Sequence, residues 1–136
     1  LVIGRTTYDT VSSFEVWPFE GKTVIVLSTT LSQSEHAQIA RSVDDANTLL
    51  AAGQAQRVYV DGGRTIQSFL AEGLIDEITI SIAPIILGRG SRLFGDLDRD
   101  VLLTLRGHHS TEGDGLMRVT YDVARREVPD ARPPAP

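Results

Sequence analysis

The stretch Arg57-Val-Tyr-Val-Asp-Gly-Gly-Arg-Thr-Ile66 constrains the fold most, because a β-rich run passes straight into a glycine pair. Gly-Gly between apolar runs usually signals a hairpin. The residues beyond the pair argue against a returning strand. Ile66, Phe69, Leu70 and Leu74 fall at i, i+3, i+4 and i+8, the stripe of one helix face rather than the alternation of a strand. Gly73 stands where that helix should end. The segment therefore reads as strand, glycine turn, helix. A helix opening on glycines leaves backbone N–H groups bare at its positive end, which suits a phosphate, although a purely structural turn satisfies the same pattern.

The rest of the chain supplies more units of this kind. Leu1–Ile3 reads as a short strand, and Thr6 or Thr7 is expected to cap a helix reaching about Ser13. Lys22–Ser28 is Val- and Ile-rich and reads as a second strand, followed by a polar loop over 29–36 and a brief strand at Gln38–Arg41. Ser42-Val-Asp-Asp opens a helix with acids in its first turn; Val43, Ala46, Leu49 and Leu50 form the buried face, and Gly53 ends it. Glu77–Leu87 reads as a long strand interrupted at Pro84, with Ile78, Ile80 and Ile82 alternating with Thr79 and Ser81. A glycine- and arginine-rich loop over 87–95 precedes a predicted hairpin of Val101–Leu105 and Leu116–Val123, turning at Glu112–Gly115. No internal repeat is apparent.

Strand and helix alternate first and strands dominate later, which predicts an α/β fold with a mostly parallel central sheet and an antiparallel C-terminal edge. The reading takes 1–126 as one domain and 127–136, rich in proline, as a flexible tail. Ligands of parallel sheets gather beyond the carboxyl ends of the strands. Gly4-Arg5-Thr6-Thr7, Ser28-Thr29-Thr30 and Asp61-Gly62-Gly63-Arg64-Thr65 all occupy such ends and could meet on one rim. Arginines, hydroxyls and bare N–H groups together suit a ligand with more than one phosphate. Singly, each segment is equally a capped helix or a polar loop.

Composition narrows the partners. Thirteen basic against eighteen acidic side chains, a net charge of −5, disfavour a broad nucleic-acid surface. No apolar run approaches a membrane span and no leader is visible, so the expectation is a cytoplasmic protein with no membrane partner. Without cysteine there is neither disulfide nor thiolate metal site. His36, His108 and His109 lack zinc-site spacing, and adjacent histidines on a strand face opposite ways, so no metal is expected. The serines form no nucleophile elbow. Trp17-Pro18-Phe19 reads as packing rather than a base-stacking surface.

Val2-Ile-Gly-Arg-Thr-Thr-Tyr8, Lys22–Ser28, Val58-Tyr-Val-Asp-Gly-Gly63, Gly73-Leu-Ile-Asp-Glu77 and Ile82-Ala-Pro-Ile-Ile-Leu-Gly88 through Leu93-Phe-Gly95 carry a resemblance. In order and extent they resemble the dihydrofolate reductase-like superfamily, and within it the reductase domain of the riboflavin biosynthesis protein RibD. The resemblance implies a three-layer α/β fold and NADPH as hydride donor. It implies that Arg5 with Ser28 and Thr29 lies near the adenosine 2′-phosphate, that Thr7, Gly62, Gly63, Arg64 and Thr65 hold the pyrophosphate, and that Gly4 and Thr6 also belong to the cofactor site. Asp61 stands where such reductases often carry a glutamate facing the ribityl substrate, and Arg89, with Arg92 nearby, is a candidate for the substrate phosphate. The implied substrate is a phosphoribosylaminopyrimidine whose ribose becomes a ribityl chain. A pterin-like substrate, as in dihydrofolate reduction, and a nucleotide-binding or interaction module without turnover are the alternatives. The resemblance also suggests a homodimer. Relatives begin with a further strand, loop and helix that hold side chains used in the chemistry; no counterpart is seen before Leu1, so the fold is expected to lack that N-terminal strand and helix, and no residue is assigned as proton donor.

Overall fold

The computed structural model describes residues 1–111 and 113–125, so the predicted tail at 127–136 and the turn residue Glu112 lie outside the described residues. The chain divides into two compact units, Leu1–Phe69 and the residues from Leu70 onward.

The first unit alternates strand and helix: β1 (Val2–Gly4), α1 (Arg5–Ser12), β2 (Ile25–Leu27), β3 (Gln38–Ala40), α2 (Val43–Ala52), β4 (Val60–Asp61) and α3 (Gly63–Ala71), whose last two residues fall in the second unit. All four strands are parallel, in the order β3-β2-β1-β4. Ile3 lies opposite Val26, which lies opposite Ile39, and these share one face by strand alternation. On that face Ile3, Val24 and Val26 pack with Tyr8 and Val11 of α1, and with Leu1, Trp17, Phe19, Leu31 and Ala37 around them. Val2 and Ile25 point the other way and are as deeply buried, as are Ala40 and, on α2, Ala46. With both faces covered, the strands read as unbroken apolar runs rather than as alternation. Each buried Val or Ile contributes about 1.5–3 kcal/mol relative to exposure.

The helices have legible ends. Ser42 caps α2 through its hydroxyl, which accepts from Asp45 N–H at 3.1 Å, while Asp45 Oδ2 accepts from Arg41 N–H at 3.0 Å. Gly53 closes α2. Gly73, at φ 71°, donates to Leu70 O at 3.0 Å beyond the end of α3. One expected cap differs. The cap of α1 is Gly4, not Thr6 or Thr7; it lies in extended geometry and gives no side-chain cap. The β1 strand runs directly into the helix at Arg5, so the threonines already lie inside the first turn.

The second unit is an antiparallel sheet of β5 (Glu77–Ile82), β6 (Leu103–Ser110) and β7 (Met117–Val123) in the order β5-β7-β6. Ile78, Ile80 and Ile82 lie opposite Tyr121, Val119 and Met117, giving an apolar face. The opposite face is polar: Thr79 and Thr120 hydroxyls pair at 3.0 Å, and Arg106 binds both Glu77 and Asp122. Alternation along β6 puts Arg106, like Thr104, on this face, and a bulge follows between Leu105 and Gly107.

Mixed α/β architecture with parallel pairing first and antiparallel pairing last agrees with the sequence reading. The antiparallel strands, however, form a sheet of their own rather than the edge of the parallel one among the described residues. Several boundaries also move. β2 starts at Ile25 rather than Lys22, and β4 shrinks to Val60–Asp61, the two residues that pair with Val2 and Ile3 of β1. β5 ends at Ile82, before Pro84, whose ring nitrogen cannot donate to a ladder. β6 runs to Ser110 because β7 pairs with it throughout. No helix among the described residues is long and apolar enough to cross a membrane.

Candidate functional site

The strand order β3-β2-β1-β4 reverses direction at β1. Successive strands step outward from β1 to β3, and the chain then crosses back to lay β4 on the other side of β1. The helices that follow β1 and β4 therefore start from neighbouring strand ends at the carboxyl rim. Such a switch point is where open parallel sheets bind ligands.

Two glycines let the helix starts approach each other there. A Cβ on Gly4 would stand 2.7 Å from Thr65 Oγ1, a distance that side chains do not tolerate. A Cβ on Gly62 would stand 3.4 Å from Thr7 Oγ1, 3.6 Å from Thr65 Oγ1 and 3.6 Å from the Gly4 nitrogen. Gly62 has φ 97°, a conformation that glycine adopts without steric cost. The first turns of α1 and α3 thus come side by side, and Thr65 is almost wholly buried between them. No side chain caps α1, so its leading N–H groups point into the rim with the positive end of the helix dipole. Gly4, Thr7, Gly62 and Thr65 are brought together; Thr6, Gly63 and Arg64 are exposed beside them.

A second part of the rim lies at the ends of β2 and β3. Ser28 is buried, and its hydroxyl accepts from Thr30 N–H at 3.3 Å and Leu31 N–H at 3.1 Å, so it organises its own turn. Thr29 and Thr30 are exposed. Arg5 reaches this turn, with Nη1 3.5 Å from Thr30 Oγ1, while its Nε donates to both carboxylate oxygens of Asp9 at 2.7 and 2.8 Å. From the other side Arg41 Nη1 donates to Ser28 O at 2.8 Å. Neither Asp9 nor Arg41 stood out in the sequence. Both carried a readable signal: Asp9 is four residues beyond Arg5 on one helix, and Arg41 follows the third parallel strand directly.

Asp61 ends β4, half-buried, opposite Ile3. Arg89 belongs to the second unit and is exposed on the segment between β5 and β6, as is Arg92. In that unit Phe94, Leu97, Val101, Leu70, Ile78 and Leu103 line a depression of about 430 Å³, with Arg99, Asp96 and Asp100 at its margin. At the hairpin, hydrogen bonds from the Arg118 guanidinium and from Leu116 N–H hold the Asp114 carboxyl below its ordinary range.

The fold and this rim define an α/β domain in which two helix starts meet at the switch point of a parallel sheet. Comparison with known proteins narrows the class. Residues 2–117 match the model of the RibD C-terminal domain, and the chain belongs to that family of reductase-type domains. It is 31% identical over 112 residues to the uncharacterized protein YwjB of Bacillus subtilis (strain 168), an alignment covering 79% of this chain and 64% of YwjB. The chain thus spans a little under two thirds of that relative. It also superimposes with a TM-score of 0.79 on the crystal structure of a "Putative riboflavin biosynthesis protein" from Shewanella sp. PV-4, at 37% identity, covering 91% of this chain and 73% of that one.

Proposed function

We propose that this chain is the dinucleotide-binding part of an NADPH-dependent reductase that acts on a phosphoribosylaminopyrimidine or a chemically close heterocycle. The observation that carries the reading is the meeting of two helix N-termini over Gly4 and Gly62 at the sheet's switch point. A Cβ at Gly4 would intrude on the contact, and the absence of a side-chain cap on α1 leaves donors for an anion. Bare N–H groups in that geometry suit a pyrophosphate. Family membership supports the reductase class, and the Shewanella relative's description supports riboflavin biosynthesis as its setting.

In this reading Gly62, Gly63, Thr65 and Thr7 hold the pyrophosphate, Arg64 adds charge at its exposed side, and the 28–31 turn with Arg5 receives the adenosine ribose phosphate. NADPH, when bound, supplies the hydride. The protein's own task is to fix the dinucleotide's orientation and keep water from the reacting face. Asp61, at the end of the strand leading into the glycine turn, is the carboxylate available to orient substrate hydroxyls. Titration calorimetry with NADPH and NADH tests the reading directly: NADPH binding that Gly62→Val abolishes supports it, and the lack of binding to either dinucleotide refutes it. Oxidation of NADPH followed at its near-ultraviolet band with the aminopyrimidine, and separately with dihydrofolate, then distinguishes the substrate class.

A further inference from the structure

We propose that the second unit carries a ligand site separate from the sheet rim: the depression lined by Leu70, Ile78, Phe94, Leu97 and Leu103 takes a free α-amino acid with an apolar side chain, whose charges are read by Arg99 and Asp96. Its apolar lining is drawn from several elements. Leu70 comes from the end of α3, Ile78 stands on the apolar face of β5 and Leu103 opens β6, while Phe94 and Leu97 belong to the segment that joins those strands. A volume of about 430 Å³ lies toward the small end of the range of about 300–1,000 Å³ that small-molecule sites occupy. Ile78, Phe94 and Leu97 are half-buried and Leu103 is exposed, so the lining is apolar yet wetted. A ligand side chain that displaces that water gains the hydrophobic contribution.

The charges at the margin select the ligand class. Arg99 and Asp96 are both exposed and line the same depression, yet among the described residues no ion pair joins them or engages either one. Asp100, beside Arg99, is already engaged. A guanidinium offers only donors and a carboxylate only acceptors, so the two together match a ligand that carries both a carboxylate and an ammonium. A monoanion would suit Arg99 and be repelled by Asp96, and a monocation would meet the reverse. A zwitterion on an apolar body satisfies the arginine, the aspartate and the lining at once, which is the chemistry of an apolar amino acid.

The test titrates the full chain with phenylalanine, phenylpropanoate and phenylethylamine, which share a ring and carry both charges, the negative one alone and the positive one alone. Binding is read from backbone amide chemical shifts. Phenylalanine is expected to move the resonances of residues 94–103 and to bind about two- to fivefold more tightly than either analogue, the worth of an exposed charge pair. Arg99→Gln should bring phenylalanine down to the level of phenylethylamine without weakening the amine. Asp96→Asn should bring it down to the level of phenylpropanoate without weakening the acid. A merely structural role for either residue would weaken all three compounds alike. Equal binding of the three, shifts confined to residues outside the depression, or no shift with millimolar phenylalanine overturns the proposal, and none of these results bears on the nucleotide reading.

Discussion

Gly4→Ala puts the meeting of the two helix starts to a quantitative test. The new methyl carbon would stand 2.7 Å from Thr65 Oγ1, several tenths of an ångström inside any ordinary carbon–oxygen contact. Thr65 is only 3% exposed and sits in the first turn of α3, so neither its side chain nor the helix start yields freely. Over-packing of this kind costs about 1–3 kcal/mol. The same methyl would be 4.0 Å from Thr65 Cβ, which is ordinary contact. Removing the hydroxyl should therefore relieve the clash. Thr65→Ala alone forfeits a buried methyl of about 0.8 kcal/mol and its hydroxyl, partly offset by alanine's better helix propensity of about 0.5 kcal/mol. In the double variant the two costs should not add: a coupling of about 1–2 kcal/mol in the stabilising direction is expected from urea unfolding of all four forms. Costs that add to within about 0.5 kcal/mol would show that the two helix starts do not meet over Thr65.

Ser42→Ala should lower stability by about 1 kcal/mol in urea unfolding, since it removes the hydroxyl that satisfies the Asp45 N–H at the start of α2. Arg106→Gln should lower the thermal midpoint more in low salt than in high salt. Glu77 and Asp122 lie directly opposite each other across β5 and β7, and Arg106 is the cation that keeps these like charges together. The Asp114 carboxyl is held below its ordinary value by Arg118 and the Leu116 N–H. Its contribution to the hairpin is therefore present above the ordinary carboxylate range near pH 4 and lost as pH falls through the depressed folded value. The Leu116 and Arg118 amide resonances should titrate below that range, and Asp114→Asn should abolish the transition; a midpoint at or above the ordinary value would contradict the hydrogen bonds.

Much of the local structure was readable because it rests on short-range chemistry. The Ile66, Phe69 and Leu70 part of the predicted stripe, the Ser42 cap with its acidic first turn and the stop at Gly73 depend on residues within a turn or two of each other and stand in the structure, whereas Leu74 lies beyond α3 and is exposed. Strand ends were less legible, because pairing partners set them. β4 is two residues long because only Val60 and Asp61 pair with β1, and the bulge at Leu105/Gly107 reflects how β6 must fit β7.

The sequence by itself determined that strands lead into glycine-opened helices, which residue types could meet an anion, and that the C-terminal strands are antiparallel. Periodicity, capping and glycine's freedom act through neighbours along the chain, so they can be read without the fold. Only the tertiary structure decided that β1 and β4 are adjacent, so that Gly4 and Gly62 bring two helix starts together over Thr65. It alone showed Ser28 turned inward on its own loop and Arg41 arriving from a third strand. Those relations join residues up to about sixty positions apart, and strand order rather than sequence spacing sets the distance between them.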